Sequence, residues 1–462
     1  MKRAILALSL VLSVSLVGCG GGGGGGSSTA VNPAPTQPVA IQPVAIQPGL
    51  SANPSFVDSA CVDGLAANFP CANVDLQSVL AVFPGQSAND IWGWTDITSG
   101  SEYALIGLTD QTAFVDVTDS LNPVFVGFLP NDSNSPASSA RDIKILGDFA
   151  FIVSESSQFG LQVFNLTRLR NVSAMPFSFS PDAHYAQFGS AHNIAVNEES
   201  GFAFVVGSDS CGGGAHMIDL ADPLNPVFAG CDRSDGYTHD SQCVIYLGSD
   251  IDYLTQEICF NANEDSLTIV NVSDKSAPEL LSRTEYQNTG YTHQGWLTED
   301  QAFFLLNDEL DEVNFGLNRR TLVFDVSDLE NPVLASTYVA NSAAIDHNLY
   351  ISGDHVFQAN YLAGLSILRL GNLSLGELLE VGHFDTQPGS DSSDFDGLWS
   401  VYPFFPSGLI IASDISAGLF LLRPDLDAVP RCNDSLDNDG DSFVDFPDDN
   451  DCDSPQDTSE GG

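Results

Sequence analysis

Four of the eight histidines in this 462-residue chain recur at one position of a repeated pattern. Each opens a polar pair ahead of an apolar or mixed segment, and the four are His192, His239, His293 and His347. The matching pairs elsewhere begin with Asn89, Arg141 and Asp396. Imidazoles beside carboxylates are the usual ligands of zinc, copper, iron or manganese. If the fold gathers these positions, they predict a transition-metal site.

Acidic residues follow the next apolar segment in most of these units: Asp110, Glu155, Asp209, Glu264, Asp308 and Asp414. Together with Arg141, which could orient an anionic substrate, they would make a metal-dependent enzyme. We take Arg141, Asp209, Asp308 and Asp396 as candidate ligand-binding residues. The alternative is that the histidines only hydrogen-bond the backbone of the neighbouring unit.

A second candidate metal site lies near the C terminus, between Cys432 and Cys452. The carboxylates of this segment that surround Gly440 are Asp437, Asp439, Asp441 and Asp445. Carboxylate oxygens on a tight glycine turn suit Ca²⁺, and the segment resembles the Asp-rich loops of thrombospondin type 3 repeats. The alternative is a solvated acidic tail.

These positions must be held by a repeated element. An apolar run closed by a polar residue occurs seven times, at residues 114–116, 163–165, 217–219, 269–271, 323–325, 367–369 and 421–423. Each unit of roughly fifty residues accommodates about four short strands and hardly any amphipathic helix, which is the blade of a β-propeller. The sequence therefore predicts an all-β, seven-bladed propeller with the histidines around one end of its axis.

Ring closure should also be visible in the sequence. The last unit ends near Pro424 without a fourth strand, while residues 74–83 form a spare strand ahead of the first unit. We expect this strand to complete the seventh blade, the alternative being an open solenoid. Trp92, Trp296 and Trp399 each lie three residues after a recurrent polar position and could stack on sugars or pack between blades.

The N terminus has the layout of a bacterial lipoprotein signal, with Lys2 and Arg3, an apolar run and Gly18-Cys19. An ordinary signal peptide with an incidental Cys19 is the alternative. Gly20 is not the Asp that retains lipoproteins at the inner membrane, which favours an outer-membrane anchor through lipid on Cys19. The predicted organisation is signal peptide 1–18, lipidated tether 19–55, disulfide loop and closing strand 56–88, propeller 89–424 and acidic tail 425–462.

The composition limits the classes of partner and the compartment that the protein can have. With 14 Lys plus Arg against 61 Asp plus Glu, the formal net charge is −47 at pH 7, which argues against nucleic acid. The eight cysteines beyond Cys19 are an even number, as expected in an oxidising compartment. Proximity along the chain suggests the pairs Cys61–Cys71, Cys211–Cys231, Cys243–Cys259 and Cys432–Cys452, although sequence does not fix connectivity.

Several long stretches resemble the choice-of-anchor B family of secreted bacterial proteins with LVIVD-type repeats. They include Gly-Tyr-Thr-His-Asp-Ser-Gln at 236–242 and Tyr-Thr-His-Gln-Gly-Trp at 291–296, with further matches at 103–108, 258–270, 345–350 and 399–408. The resemblance implies an anchored extracytoplasmic propeller but no established activity. We expect a binding or scaffold module for an envelope protein or polysaccharide, with a metal-dependent enzyme as the alternative.

Overall fold

The repeated apolar runs form the third strands of seven sheets, as the sequence predicts. The four blade strands of each sheet pair antiparallel, and in blade 1 the short strand Phe177–Ser178 adds a parallel pair at the outer edge. The computed structural model describes residues 49–82, 85–426, 429–432, 436, 443–449, 451–452 and 454–459. Within them, seven sheets of four to six strands contain nearly all regular structure. The only α-helix among the described residues is Asp311–Phe315, with short 3-10 turns at Leu166–Leu169, Cys211–Gly213 and Leu373–Leu375.

Each blade runs outward from the axis through four strands, and blades are numbered in chain order. The innermost strands are Ala88–Asp96, Arg141–Leu146, Asn193–Asn197, Asp240–Ile245, Thr292–Leu297, Leu349–Ser352 and Leu398–Tyr402. The second strands are Ser101–Leu108, Phe149–Ser154, Phe202–Val206, Glu257–Ala262, Phe303–Asp308, His355–Ala359 and Ile410–Asp414. The third strands are Gln111–Asp116, Leu161–Asn165, His216–Asp219, Leu267–Asn271, Arg320–Asp325, Leu365–Leu370 and Gly418–Pro424. The fourth strands are Val124–Pro130, Ala183–Tyr185, Val227–Cys231, Glu279–Thr284, Val333–Val339, Leu378–Phe384 and Val74–Leu80.

The fourth strand of blade 7 comes from the N-terminal side of the chain. Val74–Leu80, the closing strand, pairs antiparallel with Gly418–Pro424, and Leu76 lies opposite Leu422. The innermost strands of blades 7 and 1 also contact each other. The ring is therefore closed as expected, which leaves no open end of the repeat array.

Residues 49–82, the entry segment, span two blades. Phe56–Ser59 pairs with the closing strand, while Phe69–Ala72, preceded by Leu65–Ala66, pairs with the outer strand of blade 6. Leu50 is fully buried and forms a bridge with Val82. The predicted tether runs to residue 55, but residues 49–55 belong to the propeller because Leu50 is part of its core.

The hydrophobic core is divided into seven clusters, one at each interface between neighbouring blades. Side chains alternate between the two faces of a strand, so successive residues contribute to successive interfaces. In blade 3, for example, Ala203 packs toward blade 2 and Phe204 packs toward blade 4. Because both faces are covered, the strands read as nearly continuous apolar runs.

All four predicted disulfides are present: Cys61–Cys71, Cys211–Cys231, Cys243–Cys259 and Cys432–Cys452. They support an oxidising extracytoplasmic environment, since such bonds do not persist in a reducing cytosol. In the described part of the chain, no helix is long and apolar enough to cross a membrane. The predicted signal peptide and Cys19 lie outside the described residues.

Candidate functional site

The innermost strands bring the recurrent polar positions together at one end of the axial channel, here called the mouth. The mouth forms a cavity whose lining includes Arg141, His192, His239, His293, His347 and Trp399. The four histidines follow one another around an arc, with ring centroids 4.0, 4.2 and 4.3 Å apart. Residues far apart in sequence thus share one site, because each occupies the same place in successive blades.

Three of these histidines hydrogen-bond the next blade's backbone. The Nδ1–H of His239 donates to the carbonyl oxygen of His293 at 2.8 Å, and His293 donates likewise to His347 at 3.2 Å. His347 donates to the carbonyl oxygen of Trp399 at 2.5 Å. A carbonyl can only accept, so Nδ1 carries the hydrogen and Nε2 is left with its lone pair. The structural role anticipated as an alternative is present, but it occupies only one nitrogen of each ring.

The histidines differ in protonation. Burial lowers the pKa of His293 and of His347 to about 3, which keeps both neutral at physiological pH. His192 instead places Nδ1 2.7 Å from the Glu155 carboxylate. Burial opposes the charge on His192, but the hydrogen bond and the charge of Glu155 outweigh it and raise its pKa. The contact with Glu155 therefore favours the protonated form of His192.

In blade 7 the mouth position belongs to Trp399 and not to Asp396. The carbonyl of Trp399 accepts from His347 as the carbonyls of His293 and His347 do in earlier blades. Asp396 lies in the preceding loop, where its carboxylate accepts the N–H of Gly397. The innermost strand starts only at Leu398, with a register shift before Ser400, so the repeat is displaced by the loop. Asp396 does not line the mouth cavity.

Two other candidate acids brace loops. Asp308 is fully buried, and its carboxylate accepts the N–H groups of Gly290 and Tyr291 and the hydroxyl of Tyr286. Asp209 is exposed and accepts the N–H of Gly189. Both carboxylates accept hydrogen bonds from backbone N–H groups of loops, and neither lines the mouth.

The acid that reaches the histidines is Glu309, which the sequence reasoning missed. Its carboxylate lies 3.8 Å from Nε2 of His293 and 3.7 Å from Nε2 of His347. The hydroxyl of Tyr361 donates to the same carboxylate at 2.7 Å. The available signal was a second acid directly after Asp308, just outside the strand, where Glu155 also follows its strand in blade 2.

Arg141 reaches the mouth from blade 2. Its Nε donates to the carbonyl of Leu108 at 3.3 Å and its Nη2 to the side chain of Asn131 at 2.6 Å. The guanidinium also lies 5.0 Å from the ring centroid of Phe159. Burial lowers its pKa to about 10, which leaves it charged at neutral pH. The mouth thus combines the charged Arg141 and the His192–Glu155 pair with the neutral imidazoles of blades 5 and 6.

A layer of buried charge lies deeper in the channel. Nζ of Lys144 is 2.6 Å from Asp142 and 3.9 Å from Asp90, and it also lies 4.5 Å from the ring centroid of Trp92. Asp240 accepts a 2.6 Å hydrogen bond from Nδ2 of Asn193. Burial raises the pKa of Asp240 to about 7, with Asp142 adding to the rise while Lys144 and His192 oppose it.

Beyond this layer the channel widens into a cavity of about 230 Å³, here called the deep cavity. Trp92, Trp296 and Tyr350 line it together with polar side chains that include Asp240 and Glu198. The indole of Trp92 packs edge-on against Tyr350, and so does that of Trp296. Trp92 and Trp296 were predicted either to stack on sugars or to pack between blades. This placement is compatible with both roles, because each ring packs on one side and borders the cavity on the other.

Asp240 should make stability depend on pH. An acid whose folded pKa is raised stabilises the fold below its unfolded pKa, near 4, and that contribution is lost as pH rises through 7. Asp240→Asn should therefore raise the unfolding free energy relative to wild type by about 2 kcal/mol more at pH 8 than at pH 5. Urea unfolding at both pH values measures this.

Asp142→Asn is the matched comparison for Asp240→Asn. Burial would raise the pKa of Asp142, but Lys144 and hydrogen bonds lower it, so this substitution should destabilise the protein at both pH values. Equal pH dependence of wild type and Asp240→Asn would contradict the assignment.

The predicted calcium ligands Asp437, Asp439 and Asp441 lie outside the described residues. Asp445 is described, and its carbonyl accepts the N–H groups of Asp448 and Asp449 in a turn. The Cys432–Cys452 disulfide closes this segment. Calcium binding by the tail stays a prediction.

Comparison with known proteins agrees with the repeat architecture. The LVIVD repeat model matches residues 137–159 and 260–285, and no curated protein matches the chain. Similar solved structures include the Cps50 (Swd1) β-propeller domain of Myceliophteria thermophila, at 12% identity and TM-score 0.44, covering 70% of this chain and 93% of that one. A Lactobacillus plantarum protein has 13% identity and TM-score 0.44, covering 71% and 88% respectively. The extracellular domain of a hybrid two-component system from B. thetaiotaomicron has 10% identity and TM-score 0.47, covering 76% and 39%. The chain is a seven-bladed β-propeller that contains LVIVD repeats.

Proposed function

We propose that this protein is an exported, lipid-anchored binding module of the bacterial cell envelope, and that its ligand is an envelope polysaccharide. The observation that carries the proposal is the deep cavity, in which aromatic rings and carboxylates line one concave space. A cavity that combines apolar walls with a few fixed polar groups is the usual form of a ligand site.

The lining suits a sugar unit. The half-buried rings of Trp92 and Trp296 offer apolar faces to the C–H side of a pyranose, while Asp240 and the exposed Glu198 can accept its hydroxyl hydrogens. The volume of about 230 Å³ accommodates one or two sugar units and no globular partner. A chain end or a side branch of a polysaccharide would therefore enter, and the rest would lie across the face of the propeller.

Anchorage and calcium complete the proposal. Lipid on Cys19 would tie the propeller to the outer membrane, and Ca²⁺ held by Asp437, Asp439, Asp441 and Asp445 would stiffen the acidic tail. The resemblance to choice-of-anchor B proteins supports this arrangement. The net charge of −47 suits a protein that must stay soluble beside a cell surface.

Binding of soluble envelope oligosaccharides tests the proposal. Titration calorimetry should give a dissociation constant for at least one oligosaccharide, and Trp296→Phe should weaken it about tenfold by reducing the stacking surface. Thermal unfolding of each variant checks that the fold is retained.

Trp94→Phe is the matched control for Trp296→Phe. Trp94 is buried against Tyr103 outside the deep cavity, with ring centroids 5.2 Å apart, so its substitution should leave affinity unchanged. Capture of an envelope protein without any oligosaccharide binding would contradict the polysaccharide assignment. Equal weakening by the two substitutions would place the ligand outside the deep cavity.

A further inference from the structure

The Glu309 carboxylate lies between the two mouth histidines of blades 5 and 6. Its oxygens are 3.8 Å from Nε2 of His293 and 3.7 Å from Nε2 of His347. Hydrogen bonds between nitrogen and oxygen span about 2.7–3.2 Å, so neither contact is one. The three side chains converge without bonding to each other.

Their hydrogen-bonding capacity explains why they do not bond. Both histidines donate Nδ1–H to a backbone carbonyl, so in the neutral ring each Nε2 is a lone pair. A carboxylate such as that of Glu309 has oxygens that accept hydrogen bonds or bind a cation. Three electron-pair donors therefore face one point, and a cation there would satisfy all of them.

The spacing fits a metal ion. Ligand atoms about 2.0–2.1 Å from a tetrahedral zinc lie about 3.3 Å apart, close to the two observed separations. All three ligand atoms lie within 4.8 Å of one another. We propose that His293, His347 and Glu309 bind one divalent transition-metal ion of the zinc class, off the axis between blades 5 and 6. Two imidazoles and a carboxylate leave a fourth position open for water or a ligand.

The surrounding shell already holds these ligands in place. Tyr361, which is fully buried, donates its hydroxyl to the Glu309 carboxylate at 2.7 Å. Backbone carbonyls orient both imidazoles. Asp308 accepts the N–H of Leu310 and so fixes the strand end from which Glu309 projects. Partners of this kind fix the tautomer and orientation of metal ligands.

The proposed site uses only two of the four mouth histidines. Within the described residues, His293, Glu309 and His347 are the group of three potential ligands whose atoms lie close enough together to share an ion. His192 is not a member of this group, and its Nδ1 lies against Glu155 in blade 2. His192 should accordingly be dispensable for the metal, which separates this proposal from one that uses every mouth histidine.

Zinc titration of the chelator-stripped full chain tests the proposal. With Ca²⁺ in excess to occupy the acidic tail, calorimetry should find one Zn²⁺ per chain. His347→Ala and Glu309→Gln should weaken its affinity at least 100-fold, and Tyr361→Phe by about 10-fold through loss of the supporting hydrogen bond. Substitution with Co²⁺ should give visible absorption bands of a four- or five-coordinate ion, and these should be lost in Glu309→Gln.

His192→Ala is the control and should bind Zn²⁺ with wild-type affinity. Should His347→Ala fail to fold, Glu309→Gln and Tyr361→Phe still decide the question, since both keep the shape of the side chain. Absence of Zn²⁺ binding by the folded wild type, or equal loss in His192→Ala, would overturn the proposal. Oligosaccharide binding in the deep cavity is measured separately, so either proposal can fail alone.

Discussion

Replacing Leu76 by Asp is expected to prevent the ring from closing and to leave the purified chain unfolded or aggregated. Leu76 is fully buried in the closing strand, lies opposite Leu422, and packs in the cluster between blades 6 and 7. A carboxylate there would have no partner, and its burial would cost at least about 5 kcal/mol, comparable with the total stability of many domains. Circular dichroism and thermal unfolding measure the loss.

Gln77→Glu is the matched control in the same strand. Gln77 is half-buried and accepts a hydrogen bond from the Ser120 hydroxyl, which a carboxylate can also accept. This variant should unfold within a few degrees of wild type. A Leu76→Asp protein with wild-type stability would mean that the closing strand is dispensable.

Asp308→Ala should lower the free energy of unfolding by about 4 kcal/mol, because it removes the buried carboxylate that accepts from four donors in a half-buried loop. The donors are the N–H groups of Gly290, Tyr291 and Leu310 and the hydroxyl of Tyr286. The same change should release Glu309 from the mouth, since the two residues are adjacent. Urea unfolding gives the free energy, and proteolysis of residues 286–291 reports the loop.

Asp209→Ala provides the comparison for Asp308→Ala. Asp209 lies three residues beyond the end of the equivalent strand, Phe202–Val206, in blade 3. It is exposed, and it accepts the N–H of Gly189. Its removal should cost less than about 1 kcal/mol. If both substitutions had the same small effect, Asp308 would not be the brace described here.

The propeller architecture could be predicted from the sequence because the strand pattern of one blade occurs seven times. A repeated apolar run predicts the third strand, and the missing last strand together with the spare one predicted at residues 74–83 favours closure over an open solenoid. The disulfides were accessible for a related reason: each bond joins cysteines only 10 to 20 residues apart. Local separation and repetition are what a single sequence displays directly.

The details of the mouth were less accessible. Equivalent mouth positions can be found by counting along the sequence only where the loops of successive blades keep their length. In blade 7 the loop before Leu398 breaks this regularity. Counting therefore gives Asp396, whereas the structure has Trp399 at the mouth. Asp308 and Glu309 are adjacent acids, and one faces its own loop while the other faces two histidines. Which of two neighbouring side chains points into a site depends on where the strand ends, to within one residue.

The charged layer around Lys144 shows a third limit. The second residues of the recurrent pairs include Asp90, Asp142 and Asp240. Elsewhere this position is Asn, Gln or Gly, so the three acids do not form a recognisable motif. Lys144 of blade 2 comes close to carboxylates from three blades, 1, 2 and 4, only because the blades are arranged in a closed ring. Interactions across the axis have no signature in the spacing along the chain.

The route of the entry segment determines how the fold would respond to a mechanical load. A pull on the N-terminal side reaches the Leu50–Val82 bridge first. It then reaches Phe56–Ser59, a strand that can peel away from the closing strand on its own. The Cys61–Cys71 disulfide then transmits the force directly, so residues 62–70 are not stretched while it is intact. This removes about 30 Å from the length to which the segment could extend. The closing strand is loaded last, so a propeller pulled from its N-terminal side would yield at its edge while the ring stays intact.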